Sequence, residues 1–226
     1  MEKKQYELCL EILRRFHKTG ILDYLTLVGS WCAPFYKDYF HSKKSFTTLR
    51  TRDIDFLINA PNKIKEKVDI PLLLKDLGFV VSFQGEKGYI RLNHPDLMLE
   101  FLVPEKGRGS DKPHPLPMLG LNATPLRFLD FLAQHTIEVE IENFVITLPH
   151  PIYYALHKLI IVHRRQKEDK AIKDRQSGID ILNALIHNDE IDEVKKVFNS
   201  IPKKWQNKIK SSLEKAEESH LLELLL

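Results

Sequence analysis

Arg52-Asp53-Ile54-Asp55-Phe56-Leu57-Ile58 alternates charged and apolar residues before ending in a continuous apolar run. Read as a β-strand, its period of two places Asp53 and Asp55 on one face and Ile54 and Phe56 on the other. At the strand rise their α carbons lie roughly 6 to 7 Å apart, so the carboxylates can converge on one small ion. Like charges this close on an apolar strand are unfavourable unless a cation neutralises them. A hard divalent ion, Mg²⁺ or Mn²⁺, takes oxygen ligands and keeps positions open for phosphate and water. Two solvated acids at a strand end would give the same pattern.

Two further stretches bear on this choice. Leu97-Met98-Leu99-Glu100-Phe101-Leu102-Val103 is the most apolar strand of the chain, and Glu100 is its single charge. A carboxylate among six apolar residues needs a partner. Either an arginine supplies it in a structural ion pair, or Glu100 joins the aspartates in a three-carboxylate cluster of the kind that holds two metal ions for an in-line displacement. Upstream, Tyr24 to Val28 reads as a strand stopping at Gly29-Ser30, with a helix from Trp31 to Phe40. Glycine there permits close backbone approach, and Ser30 with the first helical amides would direct donors at an anion such as a triphosphate. An ordinary serine N-cap is the plainer alternative.

Strand, Gly29-Ser30, helix, Asp53-Ile54-Asp55 and then Glu100 on a later strand resembles the nucleotidyltransferase superfamily with the DNA polymerase beta-like fold. Downstream, Pro151-Ile152-Tyr153-Tyr154-Ala155-Leu156-His157-Lys158-Leu159, then Arg164-Arg165, Lys173-Asp174 and Asp180-Ile181-Leu182, is similar to the helical segment after the catalytic core in bacterial members. The resemblance implies that Gly29 and Ser30 bind the nucleoside triphosphate, ATP among the candidates. It implies that Asp53 and Asp55 ligate two metals, that Glu100 ligates the one activating the acceptor hydroxyl, that Lys158 contacts phosphate, and that Asp174 supports it. Two departures stand out. The interval from Ser30 to Asp53 is longer than is common in the family and contains a basic stretch, and the third carboxylate is Glu rather than the more frequent Asp.

The expected architecture is α+β. A mixed-sheet nucleotidyltransferase core flanked by helices would span residues 1–150, and an all-helical C-terminal domain 151–226, where the pattern turns to helices only. A first helix runs from about Lys4 to Lys18 and closes at Gly20; Ile70 to Leu77 is a helix. Strands cover Phe79 to Phe83, Tyr89 to Leu92 and Leu97 to Val103, and Thr136 to Ile141 with Phe144 to Leu148 forms a hairpin. Pro104 to Pro125, with five prolines and three glycines, reads as a long irregular loop. The final helices cover Ile152 to His163, Ile172 to Ile186, Ile191 to Phe198 and Trp205 to Leu226.

Composition excludes several classes. The 226 residues are 43% hydrophobic and 29% charged, which rules out a disordered, collagenous or disulfide-stapled chain. Cys9 and Cys32 form no CxxC pair and no apolar leader opens the chain, pointing to a reducing, cytoplasmic setting. No apolar run approaches the roughly 18 to 20 residues of a membrane span. The net charge of +3 hides two basic stretches, Lys37 to Arg52 and Lys158 to Arg175, either solvated surface or places that handle phosphate. Gly107-Arg108-Gly109-Ser110-Asp111-Lys112 lacks the spacing of a phosphate loop. His150, His157 and His163 lack that of a helical zinc pair.

The functional expectation is an enzyme that moves a nucleoside monophosphate from a nucleoside triphosphate to a hydroxyl of a protein, an RNA or a small molecule. The alternative is a catalytically silent binding or regulatory protein of the same fold, such as a toxin–antitoxin component.

Overall fold

The computed structural model describes residues 3–40, 51–105, 107, 109 and 112–225. Lys43, Lys44 and Arg50 of the first basic stretch lie outside the described residues, as do Arg108, Ser110 and Asp111 of the glycine-rich segment. The described residues fall into two compact units, one within Met1–Phe35 and Thr48–Pro149 and one within Tyr36–Thr47 and His150–Leu226.

The first unit is built on a nine-stranded mixed sheet: β1 Thr26–Val28, β2 Asp53–Leu57, β3 Val80–Gln84, β4 Tyr89–Asn93, β5 Met98–Pro104, β6 His114–Leu116, β7 Leu121–Leu126, β8 Thr136–Ile141 and β9 Phe144–Pro149. Spatially the order is β3-β4-β5-β2-β1-β9-β8, with β7 beside the end of β5 and β6 beside β7. The pairs β2·β5, β1·β9 and β5·β7 are parallel; the others are antiparallel. Helix α1, Lys3–Lys18, buries Cys9, Leu10, Ile12, Leu13 and Phe16. The Phe16 ring meets Phe56 edge-on at 5.3 Å, and Phe56 stacks on Phe101 at 5.7 Å. One sheet face is thereby committed to core. The opposite face carries Val28, Leu57 and Leu102, covered by Leu129 and Leu132 of α4, Leu129–Ala133.

Four stretches differ from the sequence reading. Residues 104–125 are not one irregular loop, because they include β6, a turn and β7. Pro115 is accommodated on the outermost strand, where its missing N–H faces no partner. Asn122 ties β7 inward, accepting from the Ile90 amide at 2.9 Å and donating to the Gly88 carbonyl at 3.0 Å. Residues 70–77 form a short helix α3, Ile70–Leu73, and a separate 3₁₀ turn, Lys75–Leu77. Helix α4 has too short an apolar period to have been read. The last expected helix is two, α8 Lys203–Glu214 and α9 Ser219–Leu225, broken near Glu217, whose φ of 58° is left-handed.

The second unit gathers α5 Pro151–Ile161, α6 Glu168–His187, α7 Ile191–Ser200, α8, α9 and the latter part of α2, Cys32–Tyr39. The α5 helix is buried on almost every side. Ser212 of α8 donates to the Leu159 carbonyl at 2.8 Å. Tyr36 meets the Tyr154 ring at 5.4 Å, and the Tyr39 hydroxyl donates to Glu190 at 2.7 Å. No helix among the described residues is long and apolar enough to cross a membrane.

Candidate active site

Sheet register decides which polar residues meet. Val28 stands opposite Asp55, and Asp55 opposite Glu100. The β4·β5 register continues the row, because Leu92 faces Leu99 and the next residue on each strand is Arg91 and Glu100. Ser82 of β3 lies opposite Arg91. One line of residues, Val28-Asp55-Glu100-Arg91-Ser82, therefore crosses five strands on one face, with Asp53 one pleat from Asp55. Both aspartates are half-buried while Ile54 and Phe56 point into the core.

The turn after β1 closes on this row. Gly29 has a φ of 75°, and a β carbon there would lie 2.5 Å from the Asp55 carboxylate oxygen Oδ2. Only glycine lets the backbone pass under that carboxylate in this conformation. Ser30 is not an N-cap: Gly29–Trp31 is a 3₁₀ turn between β1 and α2, its cap position is Val28, and no side chain caps it. Cys32 is buried, its thiol donating to the Leu27 carbonyl at 3.3 Å.

The Glu100 carboxylate has two neighbours of its own. Arg91 pairs with it at 3.1 Å, and the Thr124 hydroxyl of β7 donates to it at 2.9 Å. Arg91 is thus the arginine that the isolated charge on β5 called for. Neither Arg91 nor Thr124 was singled out from the sequence, although Arg91 is the lone base in Tyr89-Ile90-Arg91-Leu92-Asn93. The Asp53 carboxylate has no side-chain partner among the described residues, its amide donating to Thr51 at 3.3 Å. Hard oxygen donors at Asp53 and Asp55, with glycine beneath, fit a divalent cation in kind. The third carboxylate is turned to Arg91, and among the described residues no three acidic, histidine or cysteine side chains are disposed around one point as a metal would require.

Lys158 belongs to the second unit and is buried there. Its ammonium donates to Asp174 at 2.6 Å and lies 5.5 Å from the Tyr154 ring centroid, and Arg165 holds the other Asp174 oxygen. Burial works against the Lys158 charge, but Tyr154 and Asp174 outweigh it and keep its pKa above the ordinary lysine value. Burial likewise opposes the Asp174 charge, and Lys158 and Arg165 overcome it, lowering that pKa. Beside them His157 is buried, and its Nε2 has no hydrogen-bond partner among the described residues. Burial first, and the Lys158 charge second, push its pKa down to about 3.

Comparison with known proteins agrees with the fold. A crystal structure of an antigenic nucleotidyltransferase-like protein from Paracoccidioides brasiliensis superimposes with a TM-score of 0.50 at 14% identity, covering 96% of this chain and 90% of the other. No curated protein matches the sequence. A family model described as nucleotidyltransferase matches residues 7–202, and on that match, which takes in the glycine-serine turn, the acidic row and most of the helical unit, the chain belongs to the nucleotidyltransferase family.

Proposed function

We propose that this protein transfers a nucleoside monophosphate from a nucleoside triphosphate to a hydroxyl group of a protein, RNA or small molecule, releasing pyrophosphate. The observation that carries this reading is the register of Asp55 against Glu100 with Gly29 passing beneath Asp55. Mg²⁺ or Mn²⁺, held by Asp53 and Asp55, would neutralise phosphoryl charge and lower the acceptor's pKa. The amides and hydroxyl of Gly29 and Ser30 would receive the phosphates, at a turn whose amides no side chain caps. Glu100, the third carboxylate, would take the proton of the attacking hydroxyl and could add an oxygen ligand to the ion if its pair with Arg91 opened. Lys158, the phosphate contact that the family resemblance implies, would have to serve from within its pair with Asp174.

A second reading, nucleotide binding without turnover, draws on the Arg91–Glu100 pair. Compensation of Glu100 removes much of the repulsion that would make three carboxylates costly in a silent protein. Labelled ATP, CTP, GTP and UTP, supplied with Mg²⁺ and cell extract, separate the readings. Transfer of label by the native protein and its loss in Asp53→Asn/Asp55→Asn is the expected result. A rise in melting temperature with Mg²⁺ and nucleotide, without transfer of label to any acceptor, would establish binding alone.

A further inference from the structure

Glu100 is held by two strands at once. Its Oε1 accepts from the Thr124 hydroxyl of β7 at 2.9 Å, and its Oε2 pairs with Arg91 of β4 at 3.1 Å. Asn122 keeps these two donors in place by bonding from β7 to the backbone of β4: it accepts from the amide of Ile90, next to Arg91, and donates to the Gly88 carbonyl. Arg91 is in turn committed to Glu100. Among the described residues it has no other carboxylate partner; its Nη1 lies 3.9 Å from the Met98 sulfur, and its Nε is buried without a hydrogen-bond partner. The side chains of the pair are only 26% and 16% exposed, so their attraction is weakly screened and either charge left alone would be costly.

This arrangement bears on how many ions the acidic row takes. A centre of two metal ions roughly 3.5 to 4 Å apart would need Glu100 as an oxygen donor. Both of its oxygens are engaged instead, one by Thr124 and one by Arg91. The guanidinium also cancels one of the three negative charges, leaving at Asp53 and Asp55 two that a single divalent ion balances.

We propose that the site works with one divalent ion, at Asp53 and Asp55, and that Arg91 is a positioning residue standing in for a second. It supplies a fixed positive charge at Glu100 and holds that carboxylate for the acceptor hydroxyl. The inference rests on the nucleotidyl-transfer reading. As the hydroxyl oxygen bonds to the α-phosphorus and pyrophosphate leaves, Glu100 takes the hydroxyl proton and becomes neutral. The Arg91 charge, no longer balanced by Glu100, then offsets the negative charge gathering on the phosphoryl oxygens.

Mn²⁺ titration of the full chain, with a nucleoside triphosphate analogue that cannot be cleaved at the α-phosphorus, tests it by electron paramagnetic resonance. Two Mn²⁺ ions at the spacing of a two-ion centre couple their spins; a single ion does not. The native protein should take up one Mn²⁺ per chain with an uncoupled spectrum. Arg91→Met, which leaves Glu100 a partly buried carboxylate without its cation, should take up two with a coupled spectrum. Arg91→Lys should keep one, because an ammonium preserves the charge. A purely structural arginine would not change the ion count when replaced. Two coupled ions in the native protein, or one ion in a folded Arg91→Met as in the native, would overturn the proposal and leave the transfer reading intact. One uncoupled ion without transfer of label from any nucleotide would uphold the ion count and overturn the transfer reading. No bound Mn²⁺ in the native protein would overturn the proposal together with the metal site.

Discussion

At Gly29 the site depends on an absent side chain. An alanine there would hold a left-handed φ at a cost of about 1–3 kcal/mol and drive its methyl against the Asp55 carboxylate. Asp55 can rotate away, but then it leaves the acidic row. Gly29→Ala should therefore lower the urea midpoint modestly and abolish the Mg²⁺-and-nucleotide-dependent rise in melting temperature, a larger loss than its stability cost explains. A titratable counterpart is His157. Its folded pKa of about 3 lies below the ordinary value of 6.5, so between those values the unfolded chain binds the proton that the folded chain refuses. Its contribution is complete above pH 6.5 and is lost as pH falls toward 3, with a slope of about 1.4 kcal/mol per pH unit. Glu11 and Asp174, whose pKa values are depressed from 4.5 and 3.8, lose their contributions only at lower pH. Chemical denaturation at pH 7, 6 and 5 should show native stability falling across the series and His157→Leu remaining nearly flat.

At the scale of elements, α5 and α6 are held by two different devices. Lys158 of α5 and Asp174 of α6 form a buried ion pair, with the partly exposed Arg165 of the intervening turn on the other Asp174 oxygen, and the desolvation cost offsets much of the attraction. Such a pair specifies which helices meet more than it stabilises them. Close approach comes from Gly178, where a β carbon would sit 3.0 Å from the Ala155 carbonyl and 3.0 Å from Leu159. Neither neighbour can yield readily, one being backbone and the other a buried leucine. Gly178→Leu should thus cost about 1–3 kcal/mol through overpacking, more than the roughly 1 kcal/mol gained in helix propensity. Equilibrium urea unfolding followed by far-UV circular dichroism reads the difference. The glycine was not distinguished in the sequence because its partners come from another helix.

Across the whole molecule, the sheet is assembled from distant segments. Thr26 pairs with Thr147, and β2 reaches β5 only after β3 and β4 have been laid down beyond it. Long loops must close before such contacts reward the chain, which makes folding slow. Refolding followed by tryptophan fluorescence, with Trp31 buried beside the glycine turn, should take milliseconds to seconds or longer, and a microsecond phase carrying the whole amplitude would contradict this. Local rules account for what was legible beforehand. Helical spacing placed α1 within a residue, and alternation placed Asp53 and Asp55 together on β2, because a residue's face depends only on its near neighbours in sequence. The strand-turn-helix around Gly29 was equally local. Tertiary structure alone decided that β6 and β7 form within a proline-rich stretch, that Arg91 and Thr124 flank Glu100, and that Lys158 is buried with Asp174. Each of those facts concerns a partner many residues away, and pairing across strands or helices depends on topology, on which the local period is silent.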